Sequence, residues 1–194
     1  NDEGPFHLNC DRYTNESFYT IVKGLGMAEL SPYSPRVFQK GGREGAVSSV
    51  PDLDREARHR AFLETWQGPI RLNLGCGEDR RDGFINVDAH VPTADLQMDV
   101  FNLELGDVTV DEIFSSHMLE HLGKFEVPSA LKEWHRVLKP EGVLRLNLPD
   151  LEWVTEQWLN TPEKARWGWR LDTLYGLQTH PGEFHKTGFT ADRI

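Results

Sequence analysis

The sequence predicts an α/β fold around a mostly parallel, doubly wound sheet of the Rossmann-like type. Four short β-type runs follow one another at 70–74, 83–88, 110–117 and 142–150. An amphipathic helix lies between the last two runs, and strand, helix and strand with short connections are typical of a parallel sheet with right-handed crossovers. The chain has 194 residues, which is enough for one domain with a substantial core, or for one domain and an appendage.

The helix before the fourth strand is the most regular element of the sequence. Its apolar residues are spaced to form one helical face: Val127, Ala130, Leu131, Trp134, Val137 and Leu138. Pro128 stands in the first turn, where a helix tolerates proline. We expect the segment KPEG (139–142) to end this helix, since proline and glycine break helices. Further helical patterns follow at 151–160 and 162–176.

The first part of the chain reads differently and is predicted to be a separate segment, 1–50, ahead of a domain that spans 51–194. The stretch PYSPRVFQKGGREG is rich in proline, glycine and serine and is typical of a linker. A helix at 55–66 is expected to lead into the first strand. Before the linker, PFHLN and SFYTIVKG are β-prone and could form a hairpin.

The composition favours a small or neutral substrate. The formal net charge of −10 would repel a polyanion over much of the surface. No stretch approaches the roughly 20 apolar residues that span a bilayer, and two cysteines cannot form a dense disulfide framework. The first residues lack the basic and then apolar profile of a secretory signal. We therefore expect a cytoplasmic protein with no nucleic-acid or membrane partner.

A glycine-rich turn and a more distant acid give the first functional signal. Gly75 and Gly77 directly follow the first strand, where missing side chains let the backbone turn sharply and a ligand approach closely. Asp88 ends the second strand, eleven residues after Gly77, on the same carboxyl edge of the sheet. A carboxylate there can accept hydrogen bonds from both hydroxyls of a ribose. The pattern indicates a site for an adenosine group.

A nicotinamide dinucleotide is the alternative ligand for such a turn. That ligand favours glycine or alanine three positions after the second glycine, where a helix packs tightly on the strand. Arg80 occupies this position, and Glu78 and Asp79 lie where a pyrophosphate would need neutral N–H donors. A cofactor without phosphate groups fits better.

These stretches together resemble the class I S-adenosylmethionine-dependent methyltransferases, and within them a small subgroup. The resembling segments are LNLGCG with GFINVD, LQMDVFN, VDEIFSSHMLEHL, ALKEWHRVLKPEGVLRLNLPDL and HKTGF, which cover about residues 69–189. Only five residues separate Gly77 from Gly83, so the usual first helix is reduced to a turn, as in the subgroup. The resemblance implies the class I methyltransferase fold and methyl transfer from S-adenosyl-L-methionine to a small-molecule or glycan acceptor, at an oxygen atom.

The resemblance also implies a set of cofactor-binding residues, which are Gly75, Cys76, Gly77, Asp88, Asp99, Val100 and Ser116. The turn would line the methionine part of the cofactor and Asp88 would bind its ribose. Asp99 and Val100 would contact the adenine; without the resemblance, Asp99 is equally well explained as a solvated loop acid. Ser116 would close the site after the strand at 110–117. Cys76 is expected to be a small side chain under the cofactor and not a nucleophile.

His117 is the candidate catalytic residue. If the acceptor is a hydroxyl, a positioned histidine could remove its proton and contribute roughly 10²- to 10⁴-fold to the rate. The alternative role for His117 is to cap the turn between the strand and the next helix. His180 and His185 lie in THPGEFHKTGF, a loop that could fold over the pocket and bring either histidine to the substrate.

The spacing of His117, Glu120 and His121 also matches the H-x-x-E-H pattern of inverted zinc peptidases. That pattern requires a long helix, but here it begins at a strand end and Gly123 follows closely. A second possibility is metal-assisted O-methylation, because some methyltransferases that resemble this one carry E-x-x-E-H here and bind a divalent cation. His117 in place of the first acid weakens the match for a hard cation. We therefore predict no metal ligand.

The resembled fold has two further strands, an antiparallel hairpin after the last helix, for which this sequence offers no candidate at its carboxyl end. Either PFHLN and SFYTIVKG supply that pair from the amino end, or a homodimer or partner chain completes the sheet, since a bare edge strand invites association. A fragment is the remaining possibility. The rival function is therefore a cofactor-binding or structural module without catalytic activity.

Overall fold

The computed structural model describes residues 17–22, 53–162, 169–179 and 181–191. Within these ranges one sheet contains β1 (Ser17–Val22), β2 (Arg71–Leu74), β3 (Ile85–Val87), β4 (Val110–Ser116) and β5 (Leu138–Leu148). Their order across the sheet is β1-β5-β4-β2-β3, with β1 antiparallel to β5 and the other pairs parallel. The predicted α/β, Rossmann-like sheet is confirmed.

Four α-helices lie within the described residues: α1 (Leu53–Thr65), α2 (Val127–Val137), α3 (Leu151–Leu159) and α4 (Trp169–Tyr175). Helix α2 connects the parallel strands β4 and β5, as its periodicity predicts, and Trp134 at its centre is fully buried. Strands β2 and β3 contribute Leu72, Leu74, Ile85 and Val87, none of which is exposed. No helix in the described part of the chain is long and apolar enough to cross a membrane.

Strand β1 covers the outer edge of β5. Its residues 17–22 pair in antiparallel register with residues 148–143, which confirms for one strand that the amino-terminal segment completes the sheet. The other proposed strand, PFHLN (5–9), and the linker up to residue 50 lie outside the described residues. Residues 143–147 of β5 are paired on both backbone edges, so this part of the strand is not open to association.

The chain divides into two compact units. The described residues of one unit are 17–22, 69–162, 169–179 and 181–191. Those of the other unit are 53–68, which include α1 and a stacked pair of rings, Phe62 and Trp66. This division differs from the predicted boundary, which grouped residues 51–68 with the sheet. The assignment of 51–194 to one functional domain stays a prediction.

Two segments differ from the sequence-based expectation. The segment 139–142 belongs to β5, but the pairing with β4 passes from Leu138 directly to Val143. The four residues between them form an irregularity that contains Pro140, which has no N–H to donate to a ladder. In LQMDVFN, for which the resembled fold implies a short strand, the chain forms only isolated bridges, from Leu96 to Val87 and from Asp99 to Asn102.

Candidate functional site

The predicted site lies where the strand order of the sheet reverses. From β2 the chain continues to β3 on one side, whereas β4 and then β5 lie on the other side. Leu74 at the end of β2 pairs with Ser115 near the end of β4, so the loops after these two strands begin next to each other. In open α/β sheets this crevice beyond the carboxyl ends of the strands is where ligands bind.

The glycine turn, residues 75–77, leaves β2 with positive φ angles at both glycines. Gly75 has φ of +65° and Gly77 has φ of +52°, in the left-handed region that favours glycine. A Cβ on Gly75 would lie 2.2 Å from Cγ of Met118, whereas a Cβ on Gly77 would meet no atom within 4 Å. Gly75 is therefore needed for packing inside the protein, and Gly77 faces open space that a ligand can enter.

The backbone donors of the glycine turn are already paired. The N–H groups of Gly75 and Cys76 donate to the carbonyl of Val87 at 2.9 and 3.1 Å, and Gly77 N–H donates to Asp88 Oδ2 at 3.1 Å. The guanidinium of Arg80 is bound by Asp95 and by a backbone carbonyl. A phosphate group needs such donors, so this geometry favours a ligand without phosphate.

Asp88 connects the glycine turn to the loop after β3. Besides the bond from Gly77, its Oδ1 accepts hydrogen bonds from the N–H groups of His90 at 2.8 Å and Val91 at 3.1 Å. A carboxylate offers about four acceptor positions. Asp88 thus retains capacity for one further hydrogen bond, which suits one ribose hydroxyl and not the two that the sequence suggests.

Cys76 is a buried, neutral thiol. Its side chain is 6% exposed and donates to the carbonyl of Gly77 at 3.4 Å. Burial, and secondly the negative charge of Asp88, raise the pKa of Cys76 from 9.0 to about 11. A thiol that keeps its proton at neutral pH is a poor nucleophile. This agrees with the predicted role of Cys76 as a small group under the ligand.

Asp99 and Val100 lie in a tight turn after the bridge at Leu96. Asp99 is exposed, and its Oδ1 accepts a hydrogen bond from Phe101 N–H at 3.0 Å. The carbonyl of Val100 accepts from Trp134 Nε1 at 3.0 Å, which ties the turn to α2. These bonds hold the turn in place but do not connect it to the glycine turn. The adenine-binding role of both residues stays a prediction.

Ser116 and His117 form the end of β4 and the first residue beyond it. Asn147 of β5 donates from Nδ2 to Ser116 Oγ at 2.9 Å, and its carbonyl accepts from His117 N–H at 2.9 Å. His117 has φ of +50°, an uncommon conformation for a residue other than glycine. Its Nδ1 lies 3.2 Å from Oε1 of Glu120. The strained backbone therefore holds an imidazole against a carboxylate.

The pairing of His117 with Glu120 fixes the chemistry of the imidazole. The side chain of Glu120 is 2% exposed, whereas that of His117 is 42% exposed. A carboxylate accepts a hydrogen bond, so Nδ1 of His117 carries the hydrogen and the basic lone pair is on Nε2. A histidine oriented by a buried carboxylate is a suitable general base.

Sequence reasoning missed two residues of this site, Met118 and Asn147. Met118 follows His117 and packs on Gly75, which brings the end of β4 against the glycine turn. Asn147 is 4% exposed and lies in the second copy of RLNL; Asn73, in the first copy, is 3% exposed. A polar residue inside an apolar strand run was the available signal, because buried amides are kept for their hydrogen bonds.

Glu120, His121 and His185 form a second group, here called the histidine cluster. One potential ligand atom from each residue lies within 4.8 Å of the others. The imidazole rings of His121 and His185 meet edge to face with centroids 4.8 Å apart. Residues 186 and 187 donate their N–H groups to the carbonyl of Glu120, which secures the loop that carries His185.

The structure brings His185 to Glu120 and His121, whereas the H-x-x-E-H pattern suggests His117 as the second histidine. Only a single 3₁₀ turn, Leu119–His121, follows β4, and His117 precedes it with a left-handed backbone. The inverted zinc peptidase, which requires both histidines on one long helix, is therefore wrong for this chain. His180 lies outside the described residues. Burial, with a smaller contribution from His121, lowers the pKa of His185 below its ordinary value.

Comparison with known proteins finds a family match for the region that contains the glycine turn. Residues 72–146 match the family model of the methyltransferase domain. This confirms the predicted resemblance to class I S-adenosylmethionine-dependent methyltransferases. No curated protein matches the chain.

A solved structure is also similar, the crystal structure of a SAM-dependent methyltransferase from Archaeoglobus fulgidus. The identity is 23% over 43% of this chain and 47% of that chain, with a TM-score of 0.30. The chain therefore spans about half the length of that structure.

Proposed function

We propose that this chain, whose residues 72–146 match the methyltransferase domain family, transfers a methyl group from S-adenosyl-L-methionine to an oxygen of a small-molecule or glycan acceptor. The observation that carries the proposal is the pair of His117 and Glu120 at the end of β4. The next residue, Met118, packs on Gly75, so His117 lies one position before the residue that contacts the glycine turn.

The residues of the chain would divide the work between binding and proton transfer. When bound, S-adenosylmethionine supplies a methyl group activated on a sulfonium, so the protein mainly provides alignment and exclusion of water. The glycine turn offers open space at Gly77, a neutral thiol at Cys76 and one free acceptor position on Asp88. Nε2 of His117 would take the proton from the acceptor hydroxyl, while Glu120 holds Nδ1–H.

Calorimetric titration with S-adenosylmethionine tests the binding part. Wild type should bind, and Asp88→Ala should bind at least about tenfold more weakly because one charged acceptor is lost, a difference near 1.4 kcal/mol. Glu141→Ala, which removes an exposed carboxylate from the irregular part of β5, is the matched control. No heat with wild type, or equal affinity for Asp88→Ala and the control, would remove the proposal.

Activity on a panel of hydroxyl acceptors tests the catalytic part. His117→Gln should lower kcat by about 10²- to 10⁴-fold and leave the affinity for S-adenosylmethionine unchanged. The competing function is a binding module without activity. Cofactor binding together with no methyl transfer to any acceptor would favour that module.

The remaining partner assignments belong to the same proposal. The acidic surface, with a net charge of −10, supports a small or neutral acceptor over nucleic acid. We place the protein in the cytoplasm, where the buried free thiol of Cys76 stays reduced. A homodimer or a complex with a partner chain stays the proposed assembly, although residues 143–147 of β5 offer it no open edge, and size measurement by sedimentation would test it.

A further inference from the structure

We propose that the histidine cluster of Glu120, His121 and His185 binds a divalent transition-metal cation of the Zn²⁺ class. The site shares Glu120 with the pair of His117 and Glu120, but cation binding there does not require methyl transfer. It differs from the sequence-based expectation, which predicted no metal ligand and considered His117 in place of His185. Two imidazoles and one carboxylate form a ligand set that zinc uses where one coordination position stays open.

The two histidines are held with the correct nitrogen available. Nδ1 of His121 lies 3.3 Å from the carbonyl of Phe184, and Nδ1 of His185 lies 2.9 Å from the carbonyl of Thr173. A carbonyl only accepts, so both Nδ1 atoms carry hydrogen and both lone pairs are on Nε2. Metal-binding histidines commonly donate their other N–H to a carbonyl or carboxylate, which fixes ring orientation.

The carboxylate of Glu120 gives independent support for a ligand. Its Oε1 accepts from His117, but its Oε2 is buried and has no hydrogen-bond partner among the described residues. Leaving a buried polar atom unpaired costs about 1–3 kcal/mol, and more for a charged group. A cation bound at Oε2 would remove this cost, and the carboxylate would then bridge the cation and His117.

The distances allow a cation to bind after a small closure. In a tetrahedral zinc site with bonds near 2.05 Å, ligand atoms lie about 3.4 Å apart. One potential ligand atom from each of the three residues lies within 4.8 Å of the others, so this set would have to close by at most about 1.4 Å. Glu120 and His185 come from segments 65 positions apart in the sequence, so the cation would fasten the loop carrying His185 to the turn after β4.

Two other occupants are possible outcomes of a test. A hard cation such as Mg²⁺ prefers oxygen ligands, and two imidazoles disfavour it. A small cavity of about 20 Å³, bordered by Glu120 and His185, is large enough for one water molecule, which could pair with Oε2 instead. A site for a zinc-class cation, a site for Mg²⁺ and a site for water should each respond differently to Co²⁺, which substitutes for Zn²⁺ and has a visible spectrum.

Titration of the chelator-treated full chain with Co²⁺ is the test. Wild type should develop the intense visible bands of four-coordinate Co²⁺, and Zn²⁺ but not Mg²⁺ should abolish them. Replacement of residues that only support metal ligands costs 10- to 100-fold in affinity. Loss of a ligand in His185→Gln or Glu120→Gln should therefore weaken Co²⁺ binding by more than about 100-fold.

The chain has eight histidines, so a control for unspecific binding is required. His90→Gln removes an exposed imidazole outside the cluster and should bind Co²⁺ as wild type does. Thermal unfolding of each metal-free variant checks its fold, and His121→Gln, which removes a half-buried ligand, serves if Glu120→Gln does not fold. Unchanged affinity in the folded ligand variants, or a six-coordinate spectrum with wild type, would overturn the site and favour a bound water.

Co²⁺ binding is read without S-adenosylmethionine or an acceptor. A chain that binds Co²⁺ but not S-adenosylmethionine would contradict the proposed function and keep the metal site. A chain that transfers methyl groups with full activity and shows no Co²⁺ spectrum would contradict the metal site and keep the proposed function.

Discussion

The glycine turn and the histidine cluster follow the adjacent strands β2 and β4, but their polar groups are paired differently. In the turn, each of the three N–H groups donates to Val87 or Asp88, which lie at most twelve positions further along the chain. In the cluster, Glu120 and His185 come from distant segments, and one buried carboxylate oxygen has no partner among the described residues.

This difference teaches how each region responds to a ligand. The turn is complete without one, so a ligand at Gly77 enters space that the backbone already leaves open. In the cluster, the buried Oε2 of Glu120 has no hydrogen-bond partner among the described residues, and a bound ligand would supply one. We therefore expect ligand-independent stability in the turn and ligand-dependent stability in the cluster.

The largest effect is expected from Gly75→Ala, which tests whether the turn is built for internal packing. The new Cβ would lie 2.2 Å from Cγ of Met118. Overpacking and a left-handed backbone together should lower the free energy of unfolding by about 2–5 kcal/mol. Urea denaturation measures this. In a Met118→Ala background the same substitution should cost less, and an equal cost in both backgrounds would contradict the contact.

The reactivity of Cys76 tests whether the turn is closed to solvent. Burial, and secondly Asp88, raise its pKa to about 11, two units above the ordinary value of 9.0. The thiolate fraction at pH 8 should then be about 100-fold smaller than for an ordinary thiol. Alkylation by iodoacetamide, followed by mass spectrometry in a Cys10→Ser chain, measures the rate. Equal rates in the native and the urea-unfolded chain would show that Cys76 is not protected.

Gly77→Ala should have a smaller effect on stability and a selective effect on binding. Because no atom lies within 4 Å of the new Cβ, the cost is that of a left-handed alanine, about 1–2 kcal/mol. The methyl group would occupy ligand space and weaken S-adenosylmethionine binding at least about tenfold, by 1.4 kcal/mol. Gly68→Ala is the matched control: Gly68 also has a positive φ and open surroundings, but belongs to the other unit. Equal affinity in both variants would contradict the role of Gly77.

The smallest effect concerns the pH dependence of the cluster without metal. Burial lowers the pKa of His185 below 6.5, with a smaller contribution from His121 and against the opposing charge of Glu120. The unfolded chain therefore takes up this proton at a higher pH than the folded chain does. Stability is retained above about pH 6.5 and lost as pH falls through the folded pKa.

Urea unfolding at pH 7.5 and 5.5, with chelator present, measures this loss. Wild type should lose more stability on acidification than His185→Gln does, and His90→Gln should behave as wild type. If His185→Gln shows the full loss, titration of this imidazole does not contribute.

Local sequence patterns were sufficient for the frame of the fold. The four parallel strands, helix α2 and the glycine turn follow from short-range periodicity and from where glycine must stand. The proximity of the glycine turn and Asp88 could be predicted because they follow the adjacent strands β2 and β3. The extent of β5 could not, because helix-breaking residues at 139–142 do not reveal that a strand continues through an irregularity.

The candidate site was predictable only where its contacts are local. His117 and Glu120 are three positions apart, and their contact follows once β4 ends at Ser116. The partner of His121 could not be chosen by spacing: His117 has the better motif, but its left-handed backbone and its bond to Glu120 leave it outside the cluster.

By itself the sequence determined the parallel sheet, the position of the glycine turn on its carboxyl edge and the exclusion of a phosphate-binding turn, since these depend on neighbouring residues. The tertiary structure decided the rest. It paired residues 17–22 with β5, brought His185 to Glu120, and separated the packing role of Gly75 from the open position of Gly77. These are contacts between segments distant in sequence, and the physical reason is that no local pattern encodes which surfaces meet when the chain closes.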